Sequence, residues 1–367
     1  MATLSPVWGP RNLFHMVWWF LHLLWSHAAA RRSAPPAPAP VSDESLRDCL
    51  RTTVVTGASS GLGYAIALEV LRAQASVRGA LGQRFRLILV CKTAEGARAA
   101  RARLLREVPR AAMAWVVPRG VDMADPDTVV AFARALAKDW ESQGSGGATL
   151  LVNNAGVYCG SIRYTSPHGL EETFAANFFG HYLLTRELAE MGALSLRQAK
   201  VVFVSSFSHR AVTWPQFSQW LDRVHVADPK DRKDRTQSLY PALSYACTKL
   251  GLVVLASYLS QPEGGPTFLC LDPGAVRTRI TKNWPAPLVF AYSAVLSVLH
   301  LFQDPKRVAR ALVERVANDN GGAQRGEGAY IFGQRGALLT PSALARQARV
   351  GSSLVARCEE IRKKLGC

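Results

Sequence analysis

Two hydrophobic patterns alternate through the middle of the chain. Short runs of apolar and β-branched residues predict buried strands at 52–56, 87–91, 114–121, 149–153, 201–205, 267–271 and 329–332. Most of the intervening segments look helical, at 63–73, 94–106, 126–141, 170–191 and 244–260. Continuous apolar strands separated by helices are typical of a parallel sheet covered on both faces. We therefore predict a single α/β domain, a Rossmann-like doubly wound parallel sheet of about seven strands that binds ligands at their carboxyl ends.

The N-terminal 32 residues follow another pattern. A tryptophan-rich apolar run over 13–30 is preceded by Arg11 and followed by Arg31 and Arg32. As a helix it would just reach the ~30 Å of a hydrocarbon layer, although its tryptophans and histidines favour an interfacial position. Residues 1–32 therefore predict a membrane anchor. A cleaved targeting segment and a helix packed on the globular domain remain alternatives.

Composition shifts divide the rest of the chain. Residues 33–44 are rich in proline and predict a linker, so the catalytic domain would extend over 45–335, with a helical extension over 336–367. Inside the domain, residues 287–302 form a second apolar run. It is short for a membrane span, and predicts an interfacial lid or a core helix with a second membrane contact.

Charge and cysteine usage narrow the classes of partner. The chain has 44 Lys and Arg against 27 Asp and Glu, a net charge of +17, which favours anionic partners such as membranes and nucleotide phosphates. The basic residues are dispersed and form no aromatic-interleaved motif, so we expect no nucleic acid. Seven cysteines without a CxxC pair, and no histidine cluster, predict a reducing compartment and no metal site.

The first predicted strand runs directly into a glycine-rich segment. Residues 56–63 read TGASSGLG and are followed at once by a helical pattern. Glycines let the backbone approach a pyrophosphate closely, and the helix N-terminus offers unpaired N–H donors. We expect a dinucleotide phosphate to be bound here by Gly57, Ser59, Ser60, Gly61, Leu62 and Gly63.

The second and third strands predict which dinucleotide is bound. Lys92 follows the second strand, where an acidic residue would hold the ribose of NAD. A basic residue accommodates the 2′-phosphate, so NADP(H) is expected in preference to NAD(H). Asp122, after the third strand, could accept a hydrogen bond from the adenine amino group, whereas Asp125 before Pro126 suits a helix N-cap.

Further motifs follow the glycine loop in a fixed order. They are NNAG at 153–156, Asn177 in FAANFFGHYLLT, the pair Ser205 and Ser206, YACTK at 245–249, and DPGAVRT at 272–278. Together they resemble the short-chain dehydrogenase/reductase family over about residues 51–332. The resemblance implies that the cofactor also contacts Asn154, Ala155, Gly156, Tyr245, Lys249, Pro273, Gly274, Val276 and Thr278.

Chemistry explains the spacing of Tyr245 and Lys249. A free phenol has a pKa near 10, which makes tyrosine a poor base at neutral pH. Lys249 lies one helical turn on and projects from the same face. Its cation would stabilise the phenolate, and a three-unit shift needs roughly 4 kcal/mol. Tyr245 would then exchange a proton with the substrate oxygen, while Lys249 also holds the nicotinamide ribose.

Two more side chains complete the expected catalytic set. Ser206 would hydrogen-bond the reacting oxygen, and the resemblance favours it over Ser205 because the second serine of the pair is the active one in the family. The resemblance also implies that Asn177 orders a water that relays protons to Lys249. A purely structural role, in which Asn177 bonds a neighbouring backbone group, stays open.

Within the family, the chain is most similar to membrane-associated retinol dehydrogenase-like and 3-keto-steroid reductase-like enzymes. The similarity implies a small lipophilic substrate, such as a retinoid, a steroid or another lipid, and an endoplasmic reticulum membrane protein with a cytosolic catalytic domain. An unusually long segment around 214–239 separates Ser206 from Tyr245, so substrate identity does not transfer. A plastid or mitochondrial protein, a protochlorophyllide-reductase-like enzyme and an idle nucleotide-binding protein remain alternatives. A homo-oligomer is also compatible with the sequence.

Overall fold

The computed structural model describes residues 10–32, 41–77, 85–111, 115–144, 146–165, 167–194, 199–225, 239–260, 265–276, 286–318 and 329–367. Its strands are β1 Thr52–Thr56, β2 Arg86–Cys91, β3 Val116–Gly120, β4 Leu150–Asn153, β5 Lys200–Val204, β6 Thr267–Asp272, β7 Ala275–Val276, β8 Phe302–Gln303, β9 Ala329–Phe332 and β10 Ala337–Leu339. Eight of them form one sheet in the order β10-β9-β6-β5-β4-β1-β2-β3, and β7 pairs with β8. All pairings in the large sheet are parallel except β9 with β10. The predicted α/β fold class is confirmed, with an antiparallel eighth strand that the sequence pattern did not indicate.

The helices cover both faces of this sheet. They are α1 Pro10–Arg32, α2 Asp43–Leu50, α3 Gly61–Ser76, α4 Ala94–Glu107, α5 Pro126–Ser142, α6 Glu172–Phe174, α7 Gly180–Glu190, α8 Trp214–Leu221, α9 Pro241–Leu259, α10 Ala286–Val298, α11 Pro305–Asn318 and α12 Ala348–Leu365. A π-helical turn, Ala175–Phe179, joins α6 to α7, and a 3₁₀ helix, Phe207–Ala211, follows β5. On one face α3 packs against α2, α4 and α11, whereas α5 packs against α7 and α9 against α12.

Local sequence signals start several helices where expected. The Asp125 side chain accepts a hydrogen bond from the Asp127 amide at 3.1 Å, directly before Pro126 at the first position of α5. Thr93 caps α4 in the same way, through the Gly96 amide at 3.1 Å. Such caps satisfy amide groups that have no partner inside the helix. They fix the helix starts just beyond the strand ends, where a ligand can approach.

The topology brings two strand ends together. β1 lies between β4 and β2, and the chain order reverses at the β1–β4 pair. The loops after β1 and β4 therefore open a crevice at the carboxyl edge of the sheet, where doubly wound folds bind ligands. The glycine loop follows β1 and the NNAG motif follows β4, so both predicted motifs meet at this crevice.

Helix α1 packs against the α/β domain along one face. Trp19, Leu23, Ser26 and Ala30 are buried at helical spacing, and the helix contacts the 3₁₀ helix Phe207–Ala211 and α9. Between and beside these residues the helix exposes other apolar side chains, namely Phe14, Val17, Trp18, Leu21 and Trp25. This placement corresponds to a helix packed on the globular domain, with apolar side chains left towards the solvent.

One described helix, α9, is long and apolar enough to cross a membrane, with a mean hydropathy of 1.4 over its best window. That window is 78% buried inside the protein, and α9 packs under the sheet beside β5 and β6. α9 is therefore the central core helix of this domain.

The C-terminal segment is integrated with the sheet. β10 pairs with β9 through a turn at Gly333–Gly336, where both glycines have positive φ, and α12 packs on α9. The expected boundary at 335 falls between these two paired strands. Of the predicted linker at 33–44, residues 33–40 lie outside the described residues, whereas Asp43 and Glu44 begin α2; residues 226–238 of the long insertion also lie outside the described residues.

Candidate active site

The glycine loop folds tightly against the NNAG loop. Gly57 has a φ of +68° and Gly61 of +59°, backbone conformations that favour glycine. A Cβ atom on Gly63 would lie 2.4 Å from both the Gly57 carbonyl oxygen and the side-chain amide nitrogen of Asn154. The Ser60 side chain makes no capping bond to α3. The first-turn amides of α3 thus remain available to a ligand at this point.

Thr56 ties the two loops together. Its hydroxyl oxygen accepts hydrogen bonds from the backbone amides of Asn154, at 2.8 Å, and Ala155, at 2.9 Å. The same hydroxyl lies 3.0 Å from Nε2 of His181, whose Nδ1 donates to the Asn177 carbonyl at 3.0 Å. Burial lowers the pKa of His181 to about 3, so the imidazole is neutral and Nε2 accepts from Thr56. This chain of bonds connects the cofactor loops to the helix that carries Asn177.

A single cleft of about 1040 Å³ runs along the carboxyl edge of the sheet. It brings together nearly all the predicted cofactor and catalytic residues: Gly57, Ser59, Ser60, Gly61, Leu62, Gly63, Lys92, Asp122, Asn154, Ala155, Gly156, Ser206, Tyr245, Lys249, Pro273, Gly274 and Val276. Asn177 does not line it, and Thr278 lies outside the described residues. The volume is large enough for a dinucleotide with a substrate beside it.

The two residues assigned to the adenosine end contact each other. Lys92 Nζ lies 3.0 Å from a carboxylate oxygen of Asp122. The other Asp122 oxygen accepts from the Ala124 amide at 3.0 Å, which fixes the carboxylate after β3. The Lys92 side chain is 74% exposed, and an exposed ion pair of this kind contributes about 0–1 kcal/mol. An anionic group entering the cleft can therefore compete for the ammonium group at small cost.

Tyr245 and Lys249 lie one turn apart on the core helix α9. Both are buried, and Lys249 Nζ lies 5.6 Å from the centre of the Tyr245 ring. Lys249 donates a hydrogen bond to the Val204 carbonyl at 2.8 Å, at the end of β5. Burial lowers the pKa of Lys249 to about 8, while the nearby Asp272 carboxylate acts in the opposite direction. The lysine is thus a cation poised to lose its proton slightly above neutral pH.

Asp272 is itself held in place at the end of β6. Its oxygens accept from the Tyr330 hydroxyl at 2.6 Å and from the Gly274 amide at 2.9 Å. Burial raises the pKa of Asp272, and these two hydrogen bonds act against that effect. The carboxyl is fully buried, so it acts on Lys249 through the field it creates rather than by contact with a ligand.

The two serines of the pair have different partners. Ser205 Oγ donates to the Lys249 carbonyl at 2.8 Å and thereby joins β5 to α9. Ser206 lines the cleft, and its Oγ accepts from the Ser208 amide at 3.3 Å at the start of the 3₁₀ helix. The structure thus gives Ser205 a fixed role in packing and leaves the Ser206 hydroxyl proton directed at no described acceptor.

Asn177 lies in the π-helical turn, with its side chain turned to the loop after β4. Its Oδ1 accepts from the Val157 amide at 2.7 Å, and its Nδ2 donates to the Val157 carbonyl at 2.9 Å. π-Helical turns occur frequently at functional sites, where the extra residue re-aims neighbouring groups. The side chain thereby holds the loop that borders Gly156, next to Lys249.

Two aromatic residues that we did not predict stand beside Tyr245. The ring centre of Tyr158 lies 5.6 Å from that of Tyr245, and the ring centre of Trp19, from α1, lies 5.7 Å away. Tyr158 follows the NNAG motif by two residues, so its distance along the chain could have indicated it. Trp19 is 226 residues from Tyr245, and only the packed fold brings the two together.

Comparison with known proteins agrees with this architecture. The family model for short chain dehydrogenase matches residues 51–219. Human "Retinol dehydrogenase 13" is 28% identical over 236 residues, which cover 64% of this chain and 61% of the relative. Bovine "Dehydrogenase/reductase SDR family member 13" is 31% identical over 65% of this chain and 56% of the relative. The match thus spans less than two-thirds of the length of these relatives.

Solved structures share the fold. A crystal structure of a Mycobacterium paratuberculosis protein has a TM-score of 0.53 at 23% identity, and covers 85% of this chain and 93% of its own. A short-chain dehydrogenase/reductase from Brucella melitensis has a TM-score of 0.52 at 20% identity, and covers 78% and 96%. The family implies an oxidoreductase with a nicotinamide dinucleotide cofactor. Fold, motif order and sequence match agree that this chain is similar to the short-chain dehydrogenase/reductase family.

Proposed function

We propose that the protein is an NADP(H)-dependent oxidoreductase that interconverts an alcohol and a carbonyl on a lipophilic substrate. One observation carries the proposal: Tyr245 and Lys249, one turn apart on a buried helix, open into the same cleft as the glycine loop. A solvated helix face would not place a lysine at 3% exposure beside a tyrosine. Perturbed ionisable groups in a cleft are typical of catalysis.

The residues present fit a dinucleotide. The first turn of α3 offers amides to the pyrophosphate, and the close approach of Gly57 and Gly63 to the NNAG loop leaves the backbone uncovered. Gly156 lies next to Lys249, since a Cβ atom there would be 3.6 Å from Nζ, and Lys249 would hold the nicotinamide ribose of a bound cofactor. When bound, the nicotinamide exchanges a hydride with the substrate carbon.

The side chains of this protein transfer the proton to and from the substrate oxygen. Tyr245 donates its phenolic proton to the carbonyl oxygen during reduction, and takes a proton from the alcohol during oxidation. Lys249 stabilises the resulting phenolate by its positive charge. Ser206 donates a hydrogen bond to the reacting oxygen and holds it beside Tyr245. Asn177 acts by holding the loop next to Lys249, and its backbone carbonyl is the acceptor of the His181 bond.

A preference for NADP(H) is supported by Lys92. The lysine lies at the mouth of the cleft, and neither end of β2 carries an acid. Fluorescence titration of the full protein with NADPH and NADH measures the two dissociation constants. We expect tighter binding of NADPH, and Lys92→Asp should reverse that order. Equal affinities of the unaltered protein for the two nucleotides would contradict the preference.

The exposed apolar surface of α1 supports both the lipophilic substrate and the membrane location. The outer face of α1 exposes Phe14, Trp18 and Trp25, and arginines flank the helix in the sequence. Aromatic side chains and basic residues together favour an anionic membrane surface, and we propose the cytosolic face of the endoplasmic reticulum. Extraction with alkaline carbonate separates a spanning helix, which resists, from an interfacial one, which is released.

The reaction is tested with purified full-length protein in detergent. NADPH oxidation is followed against retinal, a 3-keto-steroid, aliphatic aldehydes and protochlorophyllide. We expect turnover of at least one carbonyl compound and none of protochlorophyllide. Turnover of protochlorophyllide alone would contradict the proposed carbonyl reduction and would indicate a double-bond reductase. If the protein binds NADPH but reduces none of these compounds, it is a nucleotide-binding protein without this activity.

A further inference from the structure

The inner face of α1 lies at the part of the cleft that contains Tyr245. Trp19 is 8% exposed, and its ring centre lies 5.7 Å from that of Tyr245 and 6.2 Å from that of Tyr158. Tyr158 and Tyr245 are themselves 5.6 Å apart, so the three rings form one cluster. All three residues line the cleft, together with Leu23 on the next turn of α1. The N-terminal helix therefore supplies part of the cleft wall beside the proposed acid/base.

Several contacts hold α1 in this position. The Arg210 guanidinium lies 4.5 Å from the ring centre of Trp25, and His27 packs edge-on against Phe332 at 5.3 Å. Arg210 also donates to the Thr340 carbonyl at 2.7 Å, so it is fixed from both sides. The 3₁₀ helix under α1 begins directly after Ser206. Helix α1 therefore packs along the segment that directly follows Ser206.

The indole nitrogen of Trp19 is buried and has no hydrogen-bond partner among the described residues. A buried donor without a partner costs about 1–3 kcal/mol, and an aliphatic side chain would fill the same space without that cost. Stability alone therefore does not explain a tryptophan here. A large rigid ring, placed beside the reacting oxygen, instead limits the shape of whatever enters.

We propose that Trp19 is a specificity-determining residue of the substrate site. Its indole lies tilted by 49° to the Tyr245 ring, and the rings of Trp19, Tyr158 and Tyr245 line the part of the cleft that we call the aromatic slot. Such a slot accepts a flat or unbranched group next to the reacting carbonyl and rejects a bulky saturated ring. The inference rests on the proposed function, since it concerns the same cleft.

Trp19→Ala tests the slot, and Trp18→Ala is the matched control. Trp18 is the neighbouring tryptophan, which is 43% exposed, stacks on His22 and does not line the cleft. The measured quantity is the ratio of kcat/KM for retinal to that for a 3-keto-steroid, with NADPH in excess. We expect Trp19→Ala to lower this ratio by about tenfold or more, because it removes the wall that excludes the bulkier ring. Trp18→Ala should leave the ratio unchanged, and both variants should bind NADPH normally.

A second measurement needs no turnover. The double variant Trp19→Cys/Tyr158→Cys is treated with a short bismaleimide, and the cross-linked peptide is identified by mass spectrometry. Trp18→Cys/Tyr158→Cys is the control, because residue 18 does not line the cleft. The natural cysteines Cys91 and Cys159 line the same cleft, so both are replaced by serine in the test and control proteins. We expect the cross-link from position 19 and not from position 18.

The outcomes separate the two claims. Absence of the position-19 cross-link, or its equal formation from position 18, overturns the seating of α1 and with it the role of Trp19. A cross-link combined with equal substrate ratios in Trp19→Ala and Trp18→Ala also overturns the role. A position-19 cross-link in a protein that reduces no carbonyl compound supports the wall formed by α1 and counts against the proposed reaction instead.

Discussion

Lys249 combines full burial with a positive charge, which makes it the most informative single residue of the site. Burial disfavours the ammonium form, whereas the carboxylate of Asp272 favours it, and the resulting pKa is about 8. Below that pH the lysine is charged and can stabilise the Tyr245 phenolate. Above it the cation is lost, and so is its support for proton transfer. The rate of carbonyl reduction should therefore depend on the protonation state of Lys249.

We expect kcat/KM for NADPH, which reports the unliganded enzyme, to fall as the pH rises through about 8. Asp272→Asn keeps acceptor and shape but removes the negative charge that raises the pKa of Lys249. The falling limb should then move to lower pH. A pH profile of carbonyl reduction by both proteins checks this. An unchanged limb in Asp272→Asn would contradict the assignment of this limb to Lys249.

The two adjacent serines provide a second residue-scale prediction. Ser206→Ala removes the hydroxyl that faces the cleft, and we expect kcat to fall by about 10²-fold. Ser205→Ala removes only the bond to the Lys249 carbonyl, so it should cost about 1 kcal/mol of unfolding free energy with little change in kcat. Steady-state kinetics and urea denaturation of both variants test the contrast. Equal losses of kcat would contradict the assignment of separate roles.

Sequence alone could indicate these residues because their spacing carries chemistry. Tyr245 and Lys249 share a helix face by virtue of four-residue spacing, and the serines follow an apolar strand. The role of Asn177 was harder to predict from sequence, because the π-helical turn around it determines whether its side chain faces the cleft or a backbone neighbour. Trp19 could not be predicted at all, because no local pattern relates residues on separate elements.

At the scale of elements, the junction of β1 and α3 leaves no space for a side chain at position 63. Gly63 approaches the Gly57 carbonyl and the Asn154 side-chain amide so closely that no side chain fits. The loop therefore holds its shape only while position 63 stays a glycine, and the cofactor amides depend on that shape.

Gly63→Ala should weaken NADPH binding by tenfold or more, equivalent to about 1.4 kcal/mol, because a Cβ 2.4 Å from two loop atoms forces the loop to shift. Gly146→Ala is the control, since a Cβ there meets no atom within 4 Å. Fluorescence titration with NADPH measures both variants. If Gly63→Ala binds NADPH as tightly as the control does, the loop is not the phosphate site.

Strand prediction worked where each run was apolar and at least four residues long. The seven parallel strands fall within or beside the runs expected for them, because burial on both faces leaves a continuous hydrophobic signal. β10 has three residues, Ala337–Leu339, with Leu338 exposed, so it carries no such signal. Its pairing depends on the turn after β9 rather than on its own composition.

For the whole molecule, the two chain ends matter because α1 and α12 both pack beside α9, the helix that carries Tyr245 and Lys249. α12 lies on α9, and a Cβ on Gly351 would lie 2.5 Å from the Tyr258 ring. Arg362 of α12 also bonds the buried Glu187 carboxylate at 2.9 Å and Glu190 at 2.7 Å. The apolar run of α1 resembles an anchor in sequence because it is hydrophobic on every side, and only tertiary packing distinguishes its inner face.

Gly351→Val should therefore separate α12 from α9 and lower the unfolding free energy by about 1–3 kcal/mol, as overpacking does in cores. Ser352→Ala, on the exposed side of the same turn, should change it by less than about 0.5 kcal/mol. Urea denaturation followed by circular dichroism gives both values. Unchanged stability in Gly351→Val would mean that α12 is not part of the folded unit.

The central claim is that Tyr245 exchanges the substrate proton, and single-turnover reduction by Tyr245→Phe tests it most directly. Tyr158→Phe is the matched control, because its ring lies in the same cleft and burial raises the pKa of its phenol further from neutrality. We predict a rate lower by several orders of magnitude for Tyr245→Phe, with normal NADPH binding, and a nearly normal rate for Tyr158→Phe. Near-normal reduction by Tyr245→Phe would contradict the account.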